Sequence, residues 1–144
     1  ALSSAASDVY KRQRQCGDRA VLRAFHIYAD NDRVAKQVTA LREGDFGTFL
    51  RLVSESGHSS WEYLQNVIPA GYKEHQEMGV TIAAAKHYLN GKGAVRVHGG
   101  GFAGTAQAFV PVEMLADFKK NMEAILGEGR CHVLSIRPEG GAVL

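Results

Sequence analysis

Between two segments that read as β-strands, the chain places Gly99-Gly100-Gly101-Phe102-Ala103-Gly104. A run this poor in side chains does not settle in a helix or a strand interior, so it fixes a loop between two separate elements. Such a backbone can also turn several amide N–H groups into one concavity, a nest suited to anions and above all to phosphate. The same residues would equally serve a tight β-hairpin whose glycines only satisfy turn geometry. Taken alone, the loop leaves both readings open.

The residues after the loop restrict the phosphate schemes. Gly99, Gly101 and Gly104 fit G-x-G-x-x-G, but the dinucleotide fingerprint needs that loop to open directly into a helix. Here the loop leads into Thr105-Ala106-Gln107-Ala108-Phe109-Val110, and Pro111 would stop a helix begun at Thr105 after about one turn. The run reads as a strand. No Gly-Lys-Ser/Thr triplet comes after the glycines, so a P-loop is excluded.

A length of 144 residues suits one domain, burying about two-thirds of its unfolded surface. The net charge of +2 is too small and too evenly spread to argue for nucleic acid or an anionic membrane. No apolar run approaches the roughly 20 residues of a transmembrane helix. Cys16 and Cys131 lie far apart and in no CxxC pattern, as expected of reduced cytoplasmic thiols. Residues 1–13, ALSSAASDVYKRQ, have no apolar period and do not make a signal peptide. They resemble translated adapter sequence, so they are set aside as a non-native, disordered scar, with the domain running over 14–144.

Along that domain, Val21, Leu22, Phe25 and Tyr28 share one helical face, continued by Val34, Val38 and Leu41. Asp30 or Asn31 would cap a second helix after a break near Ala29. Asp45 caps the next helix, with Phe46, Phe49, Leu50 and Val53 as its stripe, and Gly57-His58-Ser59-Ser60 reads as a turn. Pro69 opens a helix carrying Tyr72, Met78, Ile82 and Leu89 inward and ending at Asn90-Gly91. Strands are expected at 93–98, 105–110 and 131–136, with a fourth from 60–67. Met114, Leu115, Phe118, Met122 and Ile125 line a helix between the last two, which Gly127 stops. This order predicts an α+β fold, a small antiparallel sheet with helices packed on one face.

The segment GKGAVRVHGGGFAGTAQAF, from Gly91 to Phe109, resembles the third signature motif of the GHMP small-molecule kinases. It is most similar to the galactokinase branch, whose version runs R-M-T-G-G-G-F-G-G-C. Upstream, Arg23-Ala24-Phe25-His26 resembles R-A-R-H, and Asn31-Asp32-Arg33-Val34 resembles E-N-x-R-V. Leu41-Arg42-Glu43-Gly44-Asp45 matches L-x-x-G-D, and Glu55-Ser56 sits where N-E-S-H lies. Together these cover about Arg19 to Ile136.

The resemblance implies the C-terminal, ferredoxin-like domain of an ATP-dependent sugar kinase that passes the γ-phosphate to the C1 hydroxyl of galactose. It implies that Gly99, Gly100, Gly101, Phe102, Ala103 and Gly104 border the ATP phosphates and the acceptor, with Phe102 packing beneath the loop. ATP and Mg²⁺ would be held mainly by an N-terminal domain that also carries the catalytic residues, so none is assigned here. The implied partner is a small-molecule sugar, with neither nucleic acid nor membrane, and the protein a cytoplasmic monomer or weak dimer. The motif departs from the family at Val97 and His98 in place of Met-Thr, at Ala103 in place of glycine, and at Thr105 in place of cysteine. The stretch 60–69 departs further, leaving the acceptor sugar open. Another GHMP kinase, or a non-catalytic ligand-sensing α+β module, is the alternative.

Several residues outside the glycines attract a chemical reading. His98, beside the loop, is the histidine with a claim on ligand contact. Arg96 is expected in solvent or in a surface ion pair. Cys131 and His132 would point to opposite faces of a strand, so no metal site is expected of them. His58-Ser59 lacks an orienting acid in sequence and reads as part of a turn, while Asp32 and Arg33 read as surface or capping residues.

Overall fold

The computed structural model describes residues 2–102 and 104–136. Ala103 and 137–144, with Ala1, lie outside the described residues. In chain order the elements are α1 (Leu2–Cys16), α2 (Asp18–Arg42), α3 (Phe46–Ser59), a π-helical turn (Ser60–Leu64), α4 (Glu77–Leu89), β1 (Ala94–Val97), β2 (Ala106–Phe109), a 3-10 turn (Val112–Met114) and α5 (Leu115–Leu126). The class is α+β with a small antiparallel sheet, as the periodicity predicts.

β1 and β2 pair antiparallel from Ala94↔Phe109 to Val97↔Ala106, and the His98 amide donates to the Thr105 carbonyl one step further out. Alternation along β1 then does two jobs. Val95 and Val97 turn into a core with Val67, Met78, Ile82, Leu89 and Met122, so α4 and α5 cover that side. Arg96 turns the other way, towards α3. There Gly57 lets the helix approach so closely that a Cβ on it would lie 2.9 Å from that of Arg96. Phe49 of α3 and Phe109 of β2 meet edge to face at 5.2 Å, tying α3 to the hairpin.

Several sequence expectations are corrected. The first segment, expected to be disordered, is helical from Leu2 to Cys16. Its alanines, lysine, arginines and glutamines favour helix intrinsically, without any apolar stripe. α2 is a single helix of 25 residues with no break at Ala29. Asp30 caps nothing, because its carboxylate accepts from Ser56 and Arg33 instead. α2 therefore presents polar and small residues inward, with His26 and Ala40 buried, while Phe25, Tyr28, Val34, Val38 and Leu41 are exposed. The predicted stripe faces out.

α3 starts where Asp45 caps it, accepting from the Thr48 amide at 2.9 Å. It runs through the residues predicted as the turn 57–60. Pro69 does not open α4, which begins at Glu77. The Tyr72 amide instead bonds the Pro69 carbonyl in a turn, Gly71 sits at φ +86, and Tyr72 is exposed. Residues 60–67 hold the π-helical turn rather than a fourth strand. Residues 131–136 form no strand and join no ladder among the described residues: the Cys131 amide is taken by the Glu123 carboxylate, and Val133, Leu134 and Ile136 are exposed. Among the described residues the sheet has two strands, without the four-strand ferredoxin-like layout. No helix among them is long and apolar enough to cross a membrane.

Candidate functional site

The glycine loop closes the β1–β2 hairpin. Gly99, Gly101 and Gly104 all have positive φ, at 64, 75 and 86, and so does Phe102 at 50. A Cβ added at Gly99, Gly100 or Gly104 would meet nothing within 4 Å. These residues leave bare backbone facing open space, the condition for an anion to approach the amides. Gly101 differs. A Cβ there would overlap the Asn66 carbonyl oxygen and lie 2.8 Å from Asn66 Cβ and Cγ.

Asn66 is the floor of the loop, a position that no motif in the sequence singles out. Its carbonyl accepts the Phe102 amide at 2.9 Å, and its side-chain Oδ1 accepts the Ser60 hydroxyl at 2.9 Å. Both side chains are buried, Asn66 at 2% exposure and Ser60 at 0%. The π-helical turn makes this possible. The Gln65 amide reaches back five residues to the Ser60 carbonyl at 2.8 Å, and Gln65 itself is left-handed at φ 55. The widened turn ends α3 and drops Asn66 beneath the loop. Asn66 Nδ2 is buried and has no hydrogen-bond partner among the described residues. Phe102, expected beneath the loop, is instead 47% exposed, because its positive φ directs it outward and Asn66 holds that place. His98 is exposed beside the loop, Ala103 is outside the described residues, and Thr105 closes the hairpin through its carbonyl.

A second polar cluster centres on Asp30, between α2, α3 and β1. Ser56 Oγ donates to Asp30 Oδ1 at 2.6 Å, and Arg33 Nη1 donates to the same oxygen at 3.2 Å. Arg96 donates to Ser56 and to the carbonyl of Val97, and its Nη1 lies 3.9 Å from Asp30 Oδ2. Arg96 and Arg33 are thus partly buried partners of one carboxylate. His26 Nδ1 lies 3.0 Å from Ser59 Oγ, and its Nε2 lies 3.8 Å from Asp30 Oδ2. Burial holds the imidazole below its ordinary value; Asp30 opposes this, while Arg96 and Arg33 add to it. Ser59, His26 and Asp30 follow the order of a hydrolytic triad. Yet Ser59 and His26 are each 3% exposed, so no substrate reaches the hydroxyl. The cluster locks α2 and α3 to β1. His58, set beside Ser59 in sequence, accepts from Lys86 Nζ at 2.9 Å on the surface.

Among the described residues no three His, Cys, Asp or Glu side chains come together as metal ligands. Burial pushes the Cys131 thiol up, and Glu123 adds to the effect, which works against a thiolate ligand. An open depression of about 360 Å³ between α2 and the start of α3, lined by residues including Lys36, Glu43, Asp45 and Arg51, shares no residue with the loop.

Comparison with known proteins gives an informative relation. Over 101 residues the chain is 30% identical to the galactokinase of Mannheimia succiniciproducens. The match takes in 70% of this chain and 24% of that protein, so the chain corresponds to about a quarter of its relative's length. No family model matches the chain.

Proposed function

We propose that this chain is part of an ATP-dependent sugar kinase of the GHMP type, galactokinase-like, with the glycine loop bordering the phosphate and acceptor site. One observation carries the reading. Gly99, Gly100 and Gly104 present unobstructed backbone in a loop held by Asn66, in a chain 30% identical over 101 residues to a galactokinase. Bound ATP would supply the transferable phosphoryl group. The residues present fit that group, since a backbone without side chains lets phosphoryl oxygens approach its amides, which can stabilise the charge that builds on them. Gly99, Gly100 and Gly104 would hold it, with the Phe102–Asn66 hydrogen bond keeping the loop in shape.

In this reading the base, the Mg²⁺ ligands and most nucleotide contacts come from a second domain in the same polypeptide. The exposed apolar residues of α2 and of 133–136 would face it. The acceptor is galactose, at its C1 hydroxyl, and the protein acts in the cytoplasm. The test is ATP turnover with galactose, measured for this chain and for a longer protein that includes it. The longer protein should turn over and this chain should not. Gly100→Val in the longer protein should lower kcat and raise the apparent KM for ATP, on the order of a hundredfold in kcat/KM. Kinetics equal to the parent would reduce the loop to a hairpin turn, and robust turnover by this chain alone would remove the second domain from the account.

A further inference from the structure

The buried carboxamide of Asn66 is satisfied on one side only. Oδ1 takes the Ser60 hydroxyl, whereas Nδ2 is buried and finds no partner among the described residues. A buried amide donor without a partner is among the costlier defects a fold can carry, and native structures contain few. A Cβ on Gly101 would lie 2.8 Å from Asn66 Cγ, so the carboxamide sits against the loop. Its neighbours on the loop, Gly99 and Gly100, are the residues with nothing around them.

We propose that Asn66 is a ligand-binding residue whose Nδ2 donates to an oxygen of the anion that the glycine loop takes up. The occupant is a phosphate oxygen of a polyphosphate chain. This deepens the phosphate reading of the loop and rests on it. The arm Gly99–Gly100 carries no side chains and has open space where a Cβ would sit, while the Phe102 amide is anchored to the Asn66 carbonyl. The incoming oxygen satisfies the orphaned donor at the same moment that it meets the loop amides. The bound state thereby gains a charge-assisted hydrogen bond.

The experiment is a heteronuclear NMR titration of this chain with sodium tripolyphosphate, following the backbone amides of Gly99, Gly100 and Gly104 together with the side-chain amide pair of Asn66. All should shift along one binding curve, with the Asn66 pair moving downfield as its donor is engaged. Asn66→Ala should weaken binding about tenfold, with an amide spectrum that remains dispersed. If the glycines shift while the Asn66 pair does not, the Asn66 assignment is overturned and the phosphate reading of the loop stands. If nothing shifts up to the solubility limit, both fall. Should Asn66→Ala unfold, the side-chain signals of the parent still decide, since a purely structural Asn66 would not follow the ligand's curve.

Discussion

Gly101→Ala isolates what holds the loop in shape. Gly101 sits at φ 75, and an added Cβ would overlap the Asn66 carbonyl oxygen while lying 2.8 Å from Asn66 Cβ and Cγ. Two costs combine. The left-handed backbone disfavours alanine by about 1–2 kcal/mol. Relief of the overlap must move the loop off Asn66, breaking the 2.9 Å bond from the Phe102 amide to the Asn66 carbonyl. Leaving those groups unpaired under cover adds about 1–3 kcal/mol. Together they predict a loss of about 2–5 kcal/mol, a large share of the roughly 5–15 kcal/mol that typically holds a domain together. Urea denaturation followed by circular dichroism reads the loss directly as a lower midpoint at unchanged slope, provided that unfolding is two-state. A thermal melt should fall by about 5–15 °C. A Gly101→Ala protein as stable as the parent would refute the clamp, and with it the view that Asn66 sets the conformation of the loop.

The remaining predictions concern the anchoring of the hairpin and the Asp30 cluster. Gly93→Ala should cost about 2 kcal/mol or more, because its Cβ would overlap the Phe109 carbonyl oxygen across the first rung of the hairpin and crowd Leu89; an unchanged melting temperature would contradict the register. His26 has its folded pKa held below the ordinary 6.5, so its contribution to stability is complete above about pH 6.5 and is lost as pH falls through the lower folded value. Denaturation midpoints should therefore decline as the solution is acidified below neutrality. His26→Gln should flatten that part of the profile, and a parent profile that rises on acidification would contradict the burial argument.

Much of the fold could be read from residues acting locally. Asp45 as a cap, Asn90-Gly91 and Gly127 as stops, and the change of period at 93–97 all depend on neighbours in sequence, and each is where the pattern put it. The errors arise where tertiary partners override the pattern. α2 shows this most clearly. Its apolar stripe predicted an inward face, but His26 and Asp30 find Ser59, Ser56 and Arg96 on other elements, so the polar side packs and most of the apolar side, Phe25 to Leu41, is left outside. Those partners lie from 26 positions away, Asp30 to Ser56, to as far as Asp30 to Arg96, and no local periodicity reports them. The same holds at the loop. The glycines announced a site, but the groups that shape it, Ser60 and Asn66, lie on and just after a π-helical turn some 35 residues earlier. Residues 131–136 alternate like a strand, yet the amide that would start the ladder is spent on Glu123.

The central claim is that the open glycines of the loop receive phosphate while Gly101 serves the fold, and Gly100→Val tests it most directly. Nothing lies within 4 Å of a Cβ at Gly100, so the substitution should leave stability within about 0.5 kcal/mol of the parent. It nevertheless places a branched side chain where an anion would approach the backbone. Calorimetric titration of parent and variant with tripolyphosphate, paired with melts of both, gives the two quantities side by side. The account predicts binding by the parent, at least tenfold weaker binding by Gly100→Val, and superimposable melts. Equal affinity for the two proteins, or a variant that loses stability and keeps its affinity, would contradict it.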